Sequence, residues 1–236
     1  MLFLSLIFPH PKHLPSQPGS CRANPFLMQF TWHGLSCFEI VAKTAQGEIT
    51  LVTDPYGNET GLRTRALEAQ IVTMSHDAED ANNKTVVAGA PFLIDKPGEY
   101  EVKGVFVYAT SAPIASGEHL LTRIETEGMS VGHLGAIDRE LTDQELEAMR
   151  GVDVLLIPVG GGRVLDAKRA AAVMQQIEPR IVIPMTYAIP TLKETLGSLE
   201  DFYKAVGSCR KEESNKYKIA KKDLPEEELV CVTLMR

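Results

Sequence analysis

From Met28 onward, apolar and polar positions alternate with period two. The stretch "FTWHGLSCFEIVA" sets aromatic and β-branched residues at alternate places, and "EITLVTDPYG" closes on a Pro55-Tyr56-Gly57 turn, so both predict strands. Residues 63–69 are expected to form a short helix. The run Ile71-Val72-Thr73-Met74 reads as a buried strand ending at Ser75. "KTVVAG", "FLID", "YEVKGVFVYA", "HLLTRIET" and "MSVGHLG" follow as short strands, with Pro97-Gly98 supplying a turn.

The period then changes. In "LTDQELEAM", Thr142 and Glu145 have capping-box spacing, so a helix should start there. "VDVLLIPVGGG" is a continuous apolar run closed by glycines, the pattern of a strand covered on both faces. Asp166 can cap the helix "AKRAAAVMQQI", which Pro179 stops. "RIVIPMTYAIP" is a further buried strand, and "TLGSLEDFYKAVG" a helix that Ser198 can cap. "KYKIAKKDLPEEELVCVTLMR" holds two last strands. Early strands followed by strand–helix alternation predict one α/β (α+β) domain of two sheets with helices outside, spanning 28–236. Residues 1–27, apolar at the start and then interrupted by five prolines, read as a disordered extension or a start codon set too early.

Composition narrows the function classes. With 44% hydrophobic and 23% charged residues the chain can bury a core, and its 236 residues suit one large domain. A net charge of -7 argues against broad nucleic-acid binding, which needs a basic surface. No stretch approaches a membrane span. Four scattered cysteines with no C-x-x-C pair suggest neither a zinc knuckle nor a disulfide framework, so the cytoplasm is the expected compartment.

The chemistry concentrates after the strand at 71–74, in "SHDAEDAN". Imidazole and carboxylate in a tight loop at a strand end suit zinc or another borderline cation, but His76 and Asp80 alone are too few, because a catalytic zinc typically takes three protein ligands and a water. Other residues do not fill the gap. His33 lies on a strand next to the cleft but should face away. His133 reads as a hydrogen-bonded strand histidine. Asp54 either orients His76 from behind or holds the turn before Pro55. Asp77 and Glu79 should face solvent, and His10, His13 and His119 should be exposed. Gly160-Gly161-Gly162 lacks the Lys-Ser/Thr of a phosphate loop and reads as a close backbone approach. Ser36 and Cys37 adjoin the cleft without a base.

Taken in order, "TWHGLSCFEI", "LVTDPYG", "IVTMSHDAEDANN", "PGEYEVKGV", "GHLGAIDRELTDQEL", "VDVLLIPVGGG" and "IEPRIVIPMTY" resemble the metallo-β-lactamase superfamily, and most nearly its small bacterial branch of zinc-dependent hydrolases. The resemblance implies a four-layer αββα sandwich with a metal cleft at the sheet edges, where two ions about 3.5–4 Å apart can hold a hydroxide. It also implies an H-x-H-x-D-H motif, of which His76 and Asp80 keep the first His and the Asp. Ala78 and Ala81 stand at the other two His positions, Ala136 at that of a bridging Asp, and Thr186 at that of a late His. The loop "TSAPIASGE" has no His in register, and Gly34-Leu35-Ser36 replaces G-H-S.

The expectation is therefore a non-catalytic binding or assembly homologue with no cofactor. Asp54, Ala78, Ala136 and Thr186 would line its cleft, and its partner would be a second copy, a paralogue or a small molecule. The alternative is a hydrolase holding one zinc or other divalent ion through His76, Asp80 and a third ligand, such as Asp54 or one lent by a partner chain. A fold under relaxed selection, with no ligand, is the third reading.

Overall fold

The computed structural model describes residues 27–63 and 65–236; the expectations for the N-terminal extension, with Cys21, His10 and His13, lie outside them. In chain order the strands are β1 (Leu27–Gly34), β2 (Cys37–Thr44), β3 (Gly47–Thr53), β4 (Leu67–Glu68), β5 (Ile71–Thr73), β6 (Val87–Ala88), β7 (Phe92–Ile94) and β8 (Gly98–Val102). There follow β9 (Val105–Ser111), β10 (Leu120–Thr126), β11 (Met129–His133), β12 (Val154–Pro158), β13 (Ile181–Met185), β14 (Arg210–Ser214), β15 (Tyr217–Ala220) and β16 (Val230–Leu234). Helices α1 (Asp143–Met149), α2 (Ala167–Ile177) and α3 (Leu199–Val206) lie in the second half.

Two sheets form a sandwich. One has the order β15-β1-β2-β3-β5-β7, the other β14-β16-β13-β12-β11-β10-β9-β8. Alternation sorts the first sheet's side chains: Phe30, Phe38, Ile40, Leu51 and Ile71 enter the main core shared with the second sheet and helix α2. Their neighbours Cys37, Val52 and Val72 join a smaller cluster with Tyr56, Leu62 and Leu67 on the other face. On that side the cover consists of 3₁₀ turns at Asn58–Thr60 and Lys84–Val86 and the two-stranded β4–β6 sheet. Helices α1 and α2 pack on the second sheet. The mixed α/β sandwich expected from the patterning is thus present as a single domain.

The helix signals acted as their chemistry required. Thr142 accepts from Glu145 N–H while the Glu145 side chain accepts from Thr142 N–H, a complete capping box. Asp166 caps α2 and Ser198 caps α3. Elsewhere the structure corrects the reading. The described residues of the 63–69 segment form no helix. Leu67 and Ala69 are buried with period two, and β4 pairs with β6, so the local pattern was that of a strand. "KTVVAG" is a 3₁₀ turn before the two-residue β6. "YEVKGVFVYA" is a hairpin and not one strand: Lys103 (φ 53°) and Gly104 (φ 80°) make a two-residue turn between Val102 and Val105. Strand β14 was missed because "RKEES" offers no apolar alternation. It sits at the sheet edge, laddered to β16, with Lys211 over the Tyr203 ring and Arg210 paired with Glu228.

Candidate functional site

Five chain segments meet at one end of the sandwich, beyond the carboxyl ends of the strands, where open parallel sheets form their crevices. Asp54 follows β3, Ser75 and His76 follow β5, Gly135 and Ala136 follow β11, Gly160 follows β12 and Thr186 follows β13. The backbone here is unusual. Leu35 (φ 50°), Asp54 (φ 40°) and Thr186 (φ 51°) are non-glycine residues in the left-handed region. Each costs of order 1–3 kcal/mol, so the surrounding packing must over-determine them. Gly160 is required by contact: an ideal Cβ on it would stand 2.3 Å from the Thr186 carbonyl oxygen. Its own carbonyl accepts from Gly197 N–H at 2.6 Å. The triple glycine is a close backbone approach, as its sequence suggested.

A continuous polar chain runs through the site. Asp54, fully buried, accepts from Ser75 N–H on Oδ1 and from the Ser75 hydroxyl on Oδ2, both at 2.7 Å. Ser75 Oγ lies 2.9 Å from His76 Nδ1, and His76 Nε2 lies 3.1 Å from Asp80 Oδ1. The other Asp80 oxygen, Oδ2, faces the Arg163 guanidinium at 2.8 Å, and Arg163 Nε donates to Glu194 Oε1 at 2.8 Å. Asp54 therefore reaches His76 through the Ser75 hydroxyl while also holding the backbone at Ser75. Burial lifts the Asp54 pKa, against the pull of His133, His76 and the Ser75 bonds. Burial would push His76 down, but its bond to Asp80 and the charges of Asp54 and Asp80 outweigh this and raise it. For Asp80, burial is again outweighed, here by the His76 bond and the Arg163 charge, which hold the carboxyl low.

The remaining residues are placed as follows. Ala78 lies between two hollows. One, of about 680 Å³, is lined by His76, His119 and Lys84; the other, of about 350 Å³, by Asp80, Arg163 and Lys193. Thr186 Oγ1 lies 3.0 Å from Ser36 Oγ, and the Ser36 hydroxyl also reaches Gly135 O at 3.4 Å. Ser36 thus faces the cleft, whereas Cys37 belongs to the smaller core. His133 is a buried strand histidine bonded through Nε2 to Ser36 O at 2.9 Å, and burial lowers its pKa. His33 is turned away and lines a separate cavity with Cys37 and Tyr56. Asp77 and Glu79 face solvent.

His119 corrects the sequence reading. It is 1% exposed, with its ring centroid 6.0 Å from that of His76, and Nε2 accepts from Ala136 N–H at 3.0 Å. Burial, with His76 and His133 adding to it, brings its pKa down to about 3. The loop preceding β10 hid it because "SGEHLL" carries a turn signature, while the backbone pairs Leu120 N–H with Ser75 O and folds the histidine inward. Arg163 and Glu194 were also missed. They lie over 80 residues beyond the His76 loop in sequence, and nothing local marks them.

The donor set does not fit a divalent cation. Both ring nitrogens of His76 are engaged, and Asp80 Oδ1 is bonded to His76, whereas Oδ2, buried and without a hydrogen bond, is met only by the charge of Arg163 at 2.8 Å. The His119 Nε2 lone pair is committed to the Ala136 amide. Among the described residues no three His, Cys, Asp or Glu side chains gather around one point. A positive charge beside Asp80 is already present as a guanidinium.

Two sheets back to back, with a polar cleft where the parallel strand ends meet, define the metallo-β-lactamase fold. The chain belongs to that superfamily: the beta-lactamase superfamily domain model matches residues 29–186. A solved structure from Thermotoga maritima, described as a candidate Zn-dependent hydrolase of the metallo-beta-lactamase superfamily, shares 31% identity at a TM-score of 0.72, covering 89% of this chain and 100% of its own. A UPF0173 metal-dependent hydrolase of Thermoplasma acidophilum is 23% identical over 191 residues, 68% of this chain and 83% of that protein. A UPF0173 protein of Pyrococcus furiosus is 27% identical over 181 residues, with the same coverage. Among the described residues no helix is long and apolar enough to cross a membrane.

Proposed function

We propose that this chain is a non-catalytic binding or assembly member of the superfamily, working in the cytoplasm, in which an internal arginine takes the place of the metal. One observation carries the reading. Asp80, the surviving carboxylate of the motif, is neutralised from inside by Arg163 at 2.8 Å and His76 at 3.1 Å. A buried carboxylate needs such partners, and a bound ion would have to displace them. Ala78, Ala136 and Thr186 offer no replacement donors of the imidazole or carboxylate type. The cleft of about 680 Å³ beside His76 is within the size range of small-molecule sites, so its occupant is a small polar molecule or a segment of a partner chain.

Protein purified without chelator tests the proposal by elemental analysis and by thermal unfolding with and without zinc or manganese. The expected result is far less than stoichiometric metal, an unfolding midpoint unmoved by either ion, and no hydrolysis of lactone, thioester or phosphodiester substrates. Stoichiometric metal that His76→Ala releases would establish the one-metal hydrolase instead.

A further inference from the structure

Outside the cleft, three arginines come together on a chain whose net charge is -7. Arg63, Arg65 and Arg236, with Ala66, line a hollow of about 510 Å³ that shares no lining residue with the hollows beside His76 and Asp80. We propose that this hollow binds a small phosphate-bearing molecule with a non-aromatic body, such as a sugar phosphate or a diphosphate monoester.

Three features support a built site. First, Arg236 is fixed by the fold. Its Nε donates to His33 O at 2.6 Å, and its Nη2 donates to Arg63 O at 2.7 Å and to the Tyr56 hydroxyl at 3.2 Å. Gly34 beside it is required by Leu62, whose Cδ1 would lie 2.7 Å from an ideal Cβ, while Arg236 Cδ would be in ordinary contact at 3.4 Å. A guanidinium held this way loses little freedom when an anion arrives.

Second, the charges are uncompensated. Arg150, Arg163, Arg169 and Arg210 each pair with a carboxylate, but among the described residues none pairs with Arg63, Arg65 or Arg236. Lys216 adds to the same field, which burial and these cations register by bringing His33 down to about 4. His33 itself is 6% exposed, lines the adjoining cavity beside Arg65, and has no hydrogen-bond partner on either ring nitrogen. Its contact with Glu39 is 3.9 Å, too long for a hydrogen bond.

Third, the ligand class follows from the donors. The guanidinium forks of Arg63 and Arg65 can match phosphate oxygens in pairs, while Arg236, with Nε and Nη2 committed to the fold, adds its Nη1 and its charge; together they favour a multiply charged anion over a lone carboxylate. The volume leaves room for a body beyond the phosphate. Among the described residues no aromatic ring lines this hollow, so they supply no stacking platform of the kind nucleobases use.

Calorimetric titration of the full chain in low-salt chloride buffer tests this, using inorganic pyrophosphate and glucose 6-phosphate as probes and sulfate at matched ionic strength as the reference. Saturable binding of one phosphate probe per chain, tighter than sulfate, is expected. The double variant Arg63→Gln/Arg65→Gln should weaken it at least about tenfold. Neither guanidinium holds a bond on which the fold rests, and an unchanged circular-dichroism melting curve confirms that the variant is folded. Lys168→Gln, an exposed lysine of α2, should bind like the parent. The proposal is overturned if both phosphate probes bind no better than sulfate, or if the double variant keeps the parent affinity.

Discussion

Arg163→Met is expected to destabilise the protein by about 2–3 kcal/mol, a fall of about 5–10 °C in the unfolding midpoint. Methionine keeps an unbranched stem and removes the charge together with the Nε–H that bonds Glu194. Asp80, with its side chain 14% exposed, then keeps His76 as its one cationic partner, and Glu194 loses its partner altogether. Removing one member of a fully buried pair costs about 3–5 kcal/mol. Arg163 is 34% exposed, and water returning to the gap offsets part of that loss. A double-mutant cycle with Asp80→Asn makes the measurement specific, because a neutral amide no longer needs the guanidinium and the two costs should not add. Chemical denaturation of the four proteins at neutral pH reads the coupling. An Arg163→Met protein as stable as the parent would remove the internal cation from the account of this site.

The fold was legible wherever one face of an element meets the core. The apolar run at 71–74, the caps at Thr142, Asp166 and Ser198 and the doubly covered strand at 154–158 each state a local requirement that the folded chain meets. The failures lie where local chemistry has no say. Strand β14 is wholly polar and exists because β16 offers it a ladder. Of the three apolar residues in 63–69 only Leu67 and Ala69, two apart, are buried, a strand signal too short to outweigh a helical reading. At the site, the sequence could place His76, Asp80, Ala78, Ala136 and Thr186 by resemblance, and the three-dimensional contacts bring these positions together. It could not supply Arg163, whose role exists only because the loop after β12 crosses the loop after β5. His119 is a similar case: a histidine after a turn reads as solvent-facing until the Ala136 amide it caps is seen. Both residues add what the linear motif leaves out: Arg163 sets a cation beside Asp80, and His119 accepts from the Ala136 amide.

If those positions were emptied within an otherwise intact frame, refilling them should return a metal site, and Arg163 should decide how well. Ala78→His, Ala136→Asp and Thr186→His together add two imidazoles and a carboxylate around His76 and Asp80. Thr186 is linked through Ser36 to Gly135, and Gly135 packs against Ser75 and His119, with an ideal Cβ there lying 2.5 Å from Ser75 Cβ. The new donors therefore enter one neighbourhood and not three. With Arg163 in place the triple variant should hold zinc weakly, since a guanidinium occupies one face of Asp80 and a second cation beside it is repelled. Adding Arg163→Met frees the carboxylate, and zinc affinity should rise by about 30- to 140-fold, the roughly 2–3 kcal/mol assigned to the pair at about 1.4 kcal/mol per tenfold, once three or more protein donors can close on the ion. Zinc in excess should then raise the unfolding midpoint of the quadruple variant, and chelator should reverse the rise. Competition titration with a zinc chelator of known affinity, run on the triple and quadruple variants side by side, gives the ratio directly. Equal affinities would mean that Arg163 is a bystander, whereas a large ratio assigns to one side chain the exclusion of the metal from this cleft.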